Sequence, residues 1–368
     1  MHIRVSQEAD HRVRLRDGRT LSYAQYGAPE GFAVVSAHGG LACRLDVAAA
    51  ARVATRAGVR LISPDRPGVG RSDPQPGRTI LDWARDVAEL LDMLGVDRFA
   101  AMGWSLGGQY AAAVGHELWP RVTRVAIVAG ALPLTEVGAF DGLPTIDRVY
   151  GRLSRRAPWI ARQCFRAMRF TAACAPDLYG RVAARDLGPA DGAVLRAEGF
   201  GTFARMSREA LRQPQGVVEE YRVMMRPWGF APEDLDVPVD VWAGTEDELL
   251  DPNWPHELAR RIPGATLHLR AGGHFLAHVL PGDLRCVLAM IGSAVAAPSV
   301  TPRRRSGENR YVALHSAQNK MPDRPARCVA VRQPSSMRGR YGAPRLHVVR
   351  CRPVSADSRR RRRSPRRR

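Results

Sequence analysis

The segment Phe99-Ala100-Ala101-Met102-Gly103-Trp104-Ser105-Leu106-Gly107 constrains this chain more than any other. A short apolar run ends at Met102 and a helical pattern begins near Leu106, so very few residues must carry the reversal between them. A strand that passes this tightly into a helix holds its central residue at positive φ, and the two backbones nearly touch. Such a crossing admits only small residues on either side, which Gly103 and Gly107 supply. The strain lifts the Ser105 hydroxyl clear of the sheet edge. A helix N-terminus beneath it offers N–H groups and the positive end of a dipole.

The surrounding pattern fits this reading. His11–Arg16 and Leu21–Tyr26 alternate around Asp17-Gly18 and predict a hairpin. Strands are then expected at Ala33–Ala37, Val59–Ser63, Phe99–Met102 and Val122–Val128. Helical stretches at Asp46–Ala57, Thr79–Leu94 and Leu106–Leu118 separate them. This alternation predicts an α/β fold with a mostly parallel sheet and helices on both faces. From about Leu132 to Phe230 the alternation stops, and helices are expected near Ile146–Ser154, Pro158–Ala173, Ala190–Leu211 and Val217–Met225. Val237–Ala243 and Thr266–Leu269 restore strands, and Phe275–Ala296 reads as a helix. The expected organisation is a core of residues 1–131 and 233–297, a helical block of residues 132–232 inserted between two strands, and a tail of residues 298–368. A block inserted at the carboxyl edge of a sheet can roof a site there.

A serine nucleophile needs a base, and the base needs an orienting carboxylate. Val241–Ala243 runs into the acidic turn Gly244-Thr245-Glu246-Asp247-Glu248, and the next strand runs into Ala271-Gly272-Gly273-His274. Asp247 and His274 thus both fall just beyond strand ends, on the same edge as Ser105. Glu246, Glu248 and Asp251 compete for the acid role. His268 falls inside a strand, where it is expected to be structural. His278 makes an H-x-x-x-H pair with His274, but no third ligand stands out and no metal is expected. His256-Glu257 lacks the second histidine of H-E-x-x-H, because Arg260 stands there. At the first strand's end, the glycines of His38-Gly39-Gly40 allow a backbone N–H to approach a substrate oxygen. The N–H groups of Gly40 and Leu106 are the expected oxyanion hole, and the His38 side chain is expected to shape that loop. Trp104 is a candidate substrate contact. Phe140, Trp159, Phe165, Phe200, Trp228 and Phe230 could line a pocket, although such aromatics more often serve packing.

Charge divides the chain. It carries 56 Lys+Arg against 36 Asp+Glu, yet residues 300–368 hold 21 of the basic and 3 of the acidic residues, leaving 35 against 33 elsewhere. The high isoelectric point therefore does not make the whole protein a nucleic-acid binder. The tail, rich in Arg, Pro and Ser, is expected to be disordered. Two origins fit it: an arm that binds phosphates non-specifically, or out-of-frame translation of a GC-rich gene. The N-terminus lacks the apolar stretch of a secretory signal, and Cys286–Ala297 is shorter than the ~20 residues a bilayer requires. Six scattered cysteines form no C-x-x-C pair. A soluble cytoplasmic protein with no cofactor is expected.

With these residues in view, the sequence resembles the α/β-hydrolase fold superfamily, in its cap-bearing, esterase-like branch. The matching segments are His38-Gly39-Gly40, Asp65-Arg66-Pro67-Gly68-Val69-Gly70-Arg71-Ser72, Gly103-Trp104-Ser105-Leu106-Gly107-Gly108, Gly244-Thr245-Glu246-Asp247 and Gly272-Gly273-His274. They run in order over about Arg12–Ala296. The resemblance implies Ser105 as nucleophile, Asp247 as acid, His274 as base, and the helical insertion as a cap. Serine at 105 disfavours the dehalogenases and epoxide hydrolases that use aspartate there, and Trp104 before the nucleophile differs from proline iminopeptidases. The implied activity is a serine hydrolase acting on a small carboxylic ester or similar acyl compound. The same triad could serve C–C bond, lactone or thioester hydrolysis, or acyl transfer. A non-enzymatic anion or nucleic-acid binder working through the tail is the reading from another class. A chain ending at Ala297 is expected to fold and to keep the activity of the full chain. Circular dichroism and turnover would check this, and an unfolded product would refute it.

Overall fold

The computed structural model describes residues 8–275. The helix expected at Phe275–Ala296 beyond its first residue, His278, and the tail from residue 298 lie outside the described residues, as do residues 1–7. The strands are β1 (Glu8–Arg14), β2 (Thr20–Gly27), β3 (Phe32–Ala37), β4 (Val59–Pro64), β5 (Phe99–Trp104), β6 (Val122–Val128), β7 (Val239–Gly244) and β8 (Thr266–Arg270). They form one eight-stranded sheet in the order β1-β2-β4-β3-β5-β6-β7-β8. β1 and β2 pair antiparallel, as do β2 and β4. Every other neighbouring pair is parallel. This is the expected α/β architecture.

The parallel strands read as unbroken apolar runs because helices cover both faces. In β5, Phe99 and Ala101 point to one core and Ala100, Met102 and Trp104 to the other, following the two-residue strand period. The first core takes Trp83, Val87, Leu90 and Leu91 from α2 (Ile80–Met93) and Tyr110 and Val114 from α3 (Gly107–Glu117). The second takes Ala51, Val53 and Ala54 from α1 (Ala51–Arg56). Between β6 and β7 come α4 (Thr145–Arg156), α5 (Pro158–Cys174), α6 (Pro176–Asp186), α7 (Pro189–Glu198), α8 (Phe200–Ala210) and α9 (Pro214–Met224). No helix among the described residues is long and apolar enough to cross a membrane.

Three local expectations change. The single helix expected over Ala190–Leu211 is two, because Gly199 at φ +85° ends α7 and turns the chain into α8. The stretch expected helical from Asp46 is a 3-10 turn at Ala48–Ala50 followed by α1. α6 and α10 (Trp254–Arg261) were not expected from the pattern. Each has a proline in its first turn, where the missing N–H costs no helical hydrogen bond. A proline that stops one helix thus starts the next.

The long helix α2 begins at Thr79, whose Oγ1 accepts the Asp82 N–H at 3.4 Å while Asp82 Oδ2 accepts the Thr79 N–H at 2.7 Å. This reciprocal cap satisfies two donors that the helix start would leave unmade. Thr79→Ala is expected to lower stability by about 1 kcal/mol, read as a shift in the urea unfolding midpoint with an unchanged slope.

Candidate active site

The turn at Ser105 has the expected strain. Ser105 sits at φ +54°, its N–H donates to Val128 O at 2.8 Å, and its carbonyl accepts the Gly108 N–H at 2.9 Å. A Cβ on Gly107 would overlap the carbonyl oxygen of Ala37, and one on Gly103 would overlap that of Gly107. β5, α3 and the end of β3 therefore meet backbone to backbone around this serine. Only glycine permits that approach.

The loops after β7 and β8 are bound to each other. Thr245 N–H donates to Arg270 O at 2.8 Å and Glu246 N–H to Gly272 O at 2.9 Å. A Cβ on Gly244 would strike the carbonyl oxygens of both Gly272 and Gly273. The closeness brings Asp247 to His274, with Asp247 Oδ2 2.8 Å from the imidazole Nδ1. Asp247 Oδ1 accepts the N–H groups of Leu249 at 2.9 Å and Leu250 at 3.3 Å. Burial would raise the Asp247 pKa, but the His274 hydrogen bond and charge and these two N–H groups hold it below the usual value. With the carboxylate ionised, Nδ1 is the donor in this bond. Two of the three rival carboxylates are otherwise engaged: Glu246 Oε1 accepts the Gly272 N–H at 3.2 Å, and Asp251 Oδ1 accepts the Asn253 N–H at 2.9 Å. His268 bonds Asp240 at 2.9 Å and stacks on Trp242, a structural place as expected.

Asp191, which no motif singled out, holds the histidine loop from the insertion. Its Oδ2 accepts the His274 N–H at 2.8 Å and its Oδ1 the Phe275 N–H at 2.7 Å. A Cβ on Gly273 would lie 2.5 Å from both oxygens. Burial raises the Asp191 pKa, against the pull of those two N–H groups. Its only sequence signal was weak: an acid in a helix's first turn, which the dipole favours anyway. Trp104 secures the other side. Its Nε1–H donates to His274 O at 2.9 Å, and its ring lies 5.4 Å from the imidazole.

The His38-Gly39-Gly40 loop rests on a buried ionic cluster. Arg66 donates through Nη1 to His38 O, through Nη2 to Gly39 O at 3.0 Å, and through Nε to Glu220 Oε2 at 2.7 Å. Arg78 also bonds Glu220, and donates to Tyr110 Oη at 2.9 Å. The Arg66 guanidinium lies 4.5 Å above the Tyr110 ring. His38 accepts the Arg66 N–H on Nε2 at 3.2 Å, with Nδ1 3.0 Å from Gly39 O. Burial, with Arg66 beside it, lowers the His38 pKa to about 4, so the ring is neutral and shapes the loop. The next residue but two, Leu41, is at φ +54°, and the Cβ position of Gly40 lies 3.7 Å from the Leu106 side chain. The two expected oxyanion-hole residues are thus neighbours.

Gly40, Trp104, Ser105, Leu106 and His274 all line one cavity of about 570 Å³ under the insertion. Of the aromatic residues suspected from sequence, Trp104 alone is among its lining. Phe165 is buried in the insertion's own core and Trp159 is 67% exposed. Tyr150, Tyr179, Phe203 and Tyr221 line the cavity instead.

The sequence of residues 33–157 matches a family model described as alpha/beta hydrolase fold. Among solved structures, a putative aryl esterase from Burkholderia cenocepacia aligns with TM-score 0.58 at 20% identity, over 78% of this chain and 100% of that one. A thermophilic esterase from Thermogutta terrifontis aligns at 0.57 and 21% identity, over 76% and 97%. The enol-lactonase from Burkholderia xenovorans LB400 aligns at 0.57 and 19% identity, over 78% and 100%. No curated protein matches the sequence. At these identities the likeness is one of fold, and the chain has the α/β-hydrolase fold.

The Glu220 cluster gives a test. Burial would raise the Glu220 pKa, but Arg66 and Arg78 bring it down from 4.5 to about 2. The unfolded chain therefore takes up this proton first as pH falls. The stability Glu220 contributes is full above about pH 4.5 and is lost towards pH 2. Glu220→Gln leaves two buried guanidinium groups unmatched and is expected to cost about 3 kcal/mol or more at pH 7. Urea unfolding at several pH values should show that loss, and a shallower acid limb than the wild type.

Proposed function

We propose that this protein is a serine hydrolase that cleaves small carboxylic esters through Ser105, His274 and Asp247. The observation that carries the reading is a conjunction in one cavity. A serine held at φ +54° and an imidazole bonded to a carboxylate at 2.8 Å both border the same largely apolar space. Strain of that kind persists where the surrounding structure enforces it, and it clusters at reacting groups.

In the reaction, Ser105 Oγ bonds to the acyl carbon while its proton passes to His274 Nε2. The carbonyl electron pair moves to oxygen, which the N–H groups of Gly40 and Leu106 stabilise as an oxyanion hole. The intermediate collapses, the bond to the leaving oxygen breaks, and that oxygen takes the proton from His274. Water then attacks the acyl-enzyme by the same route, releasing the acid and restoring Ser105. Asp247 keeps the imidazole in the Nδ1–H tautomer and stabilises its cation. The His38 ring does not enter these steps; it supports the loop that carries Gly40. Trp104 acts through the His274 loop as well as through the cavity wall. Lactones present the same acyl carbon and leaving oxygen within a ring, and thioesters and activated C–C bonds present the same acyl carbon with a different leaving atom. The enol-lactonase among the similar folds keeps the lactone within the substrate series to be tested.

A chain-length series of p-nitrophenyl esters would test the reading. Turnover is expected in the wild type, with a fall of at least ~10³-fold in Ser105→Ala and of about 10⁴-fold in Asp247→Asn. Equal rates in wild type and Ser105→Ala would remove Ser105 as nucleophile.

A further inference from the structure

The cavity wall carries no arginine or lysine among its described residues, in a chain with 56 such residues. It does carry three carboxylates: Asp147, Asp186 and Glu220. Glu220 is matched by Arg66 and Arg78. Asp147 has no such ion pair among the described residues. It stands in the first turn of α4, and its Oδ1 accepts the Tyr221 hydroxyl at 2.6 Å. Its Oδ2 has no hydrogen-bond partner among the described residues, and no arginine or lysine there forms an ion pair with it. Burial raises its pKa, with Tyr221 and the charge of His274 pulling the other way. The helix dipole offers partial compensation at best, since it amounts to roughly half a charge shared over the first turn.

Two tyrosines accompany this carboxylate in the cavity wall. Tyr150 and Tyr221 both line the cavity, with ring centroids 5.9 Å apart and planes at 62°. Phe165 stacks on Tyr221 at 5.6 Å and packs against Tyr150 at 4.9 Å. A carboxylate beside two tyrosine rings, in a cavity with no guanidinium group among its described lining, favours an organic cation. It disfavours a carboxylate-bearing ligand.

We infer that the cavity is a site for esters bearing an ammonium group, held by Asp147 with the rings of Tyr150 and Tyr221. This assignment rests on the hydrolase reading for its chemistry, but not for its binding. Either half of the ester could bring the charge.

Two pairs of isosteric esters distinguish the halves. On the acyl side, p-nitrophenyl 5-(trimethylammonio)pentanoate is compared with p-nitrophenyl 6,6-dimethylheptanoate. On the alcohol side, choline butyrate is compared with 3,3-dimethylbutyl butyrate. The wild type is expected to favour the cation in kcat/KM by about tenfold or more in one pair. Asp147→Asn should bring that ratio towards one. Wild-type ratios at or below one in both pairs would overturn the inference, even if the variant does not fold. An unchanged ratio in a folded Asp147→Asn would also overturn it. If no Ser105-dependent turnover is seen, the hydrolase reading fails by itself, and binding still decides this one. Ser105→Ala would then be titrated calorimetrically with N-butyl 5-(trimethylammonio)pentanamide and with N-butyl 6,6-dimethylheptanamide. Tighter binding of the cation, lost in Ser105→Ala/Asp147→Asn, supports the site, and equal affinity refutes it.

Discussion

The crossing of backbones beneath Ser105 is the constraint on which everything else is arranged. Gly107 lies against the carbonyl of Ala37, and Gly103 against that of Gly107, so three elements share one contact. The serine can be strained only because the sheet on either side is fixed. Val128 O binds its N–H, and two apolar cores grip β5 from opposite faces. Burial at roughly 25 cal/mol per Å² of apolar surface readily supplies the ~1–3 kcal/mol that such a residue costs. The same contact sets Leu106 beside the glycine loop after β3.

Around that fixed point, three acids from the insertion each hold a different loop of the sheet edge. Asp191 of α7 binds the backbone before and at Phe275, behind the imidazole. Glu220 of α9 binds Arg66, which in turn binds the carbonyls of His38 and Gly39. Glu209 of α8 binds Arg44 at 3.1 Å and Arg71 at 2.8 Å, and Arg44 is bonded to the buried Asp65. The insertion therefore does more than cover the cavity. It contributes the charges that keep His274 and the glycine loop where they are, in surroundings where an unmatched charge would be expensive.

Much of the fold was legible in the sequence. Strand positions followed from apolar runs bounded by turn residues, and Ser105 from its glycines. Asp247 and His274 were legible because both follow strand ends, where a parallel sheet gathers its loops on one edge. What could not be read was long-range partnership. Asp191 looks like any first-turn acid, and Arg66 looks like part of a turn. Nothing local says that one meets a loop 83 residues on, or that the other is fully buried against Glu220. The cavity aromatics of the insertion were missed for the same reason. Helical period says which face is apolar, but not whether that face meets a core, as Phe165 does, or a space, as Tyr150 does. The helix boundaries at Ala175 and Gly199 depended on single backbone torsions, which pattern alone does not fix.

The contacts of Asp191 bear on how this protein could be re-engineered. A helical insertion between two strands invites exchange, and this one turns large exposed residues such as Trp159 and Phe170 to its surface. Here a transplanted block would have to bring an acid to meet Gly273, another to meet Arg66 and a third to meet Arg71. Without them, the graft would alter the machinery it was meant only to cover. The insertion is thus less an interchangeable lid than the second half of a mould, and only its outward surface is open to redesign.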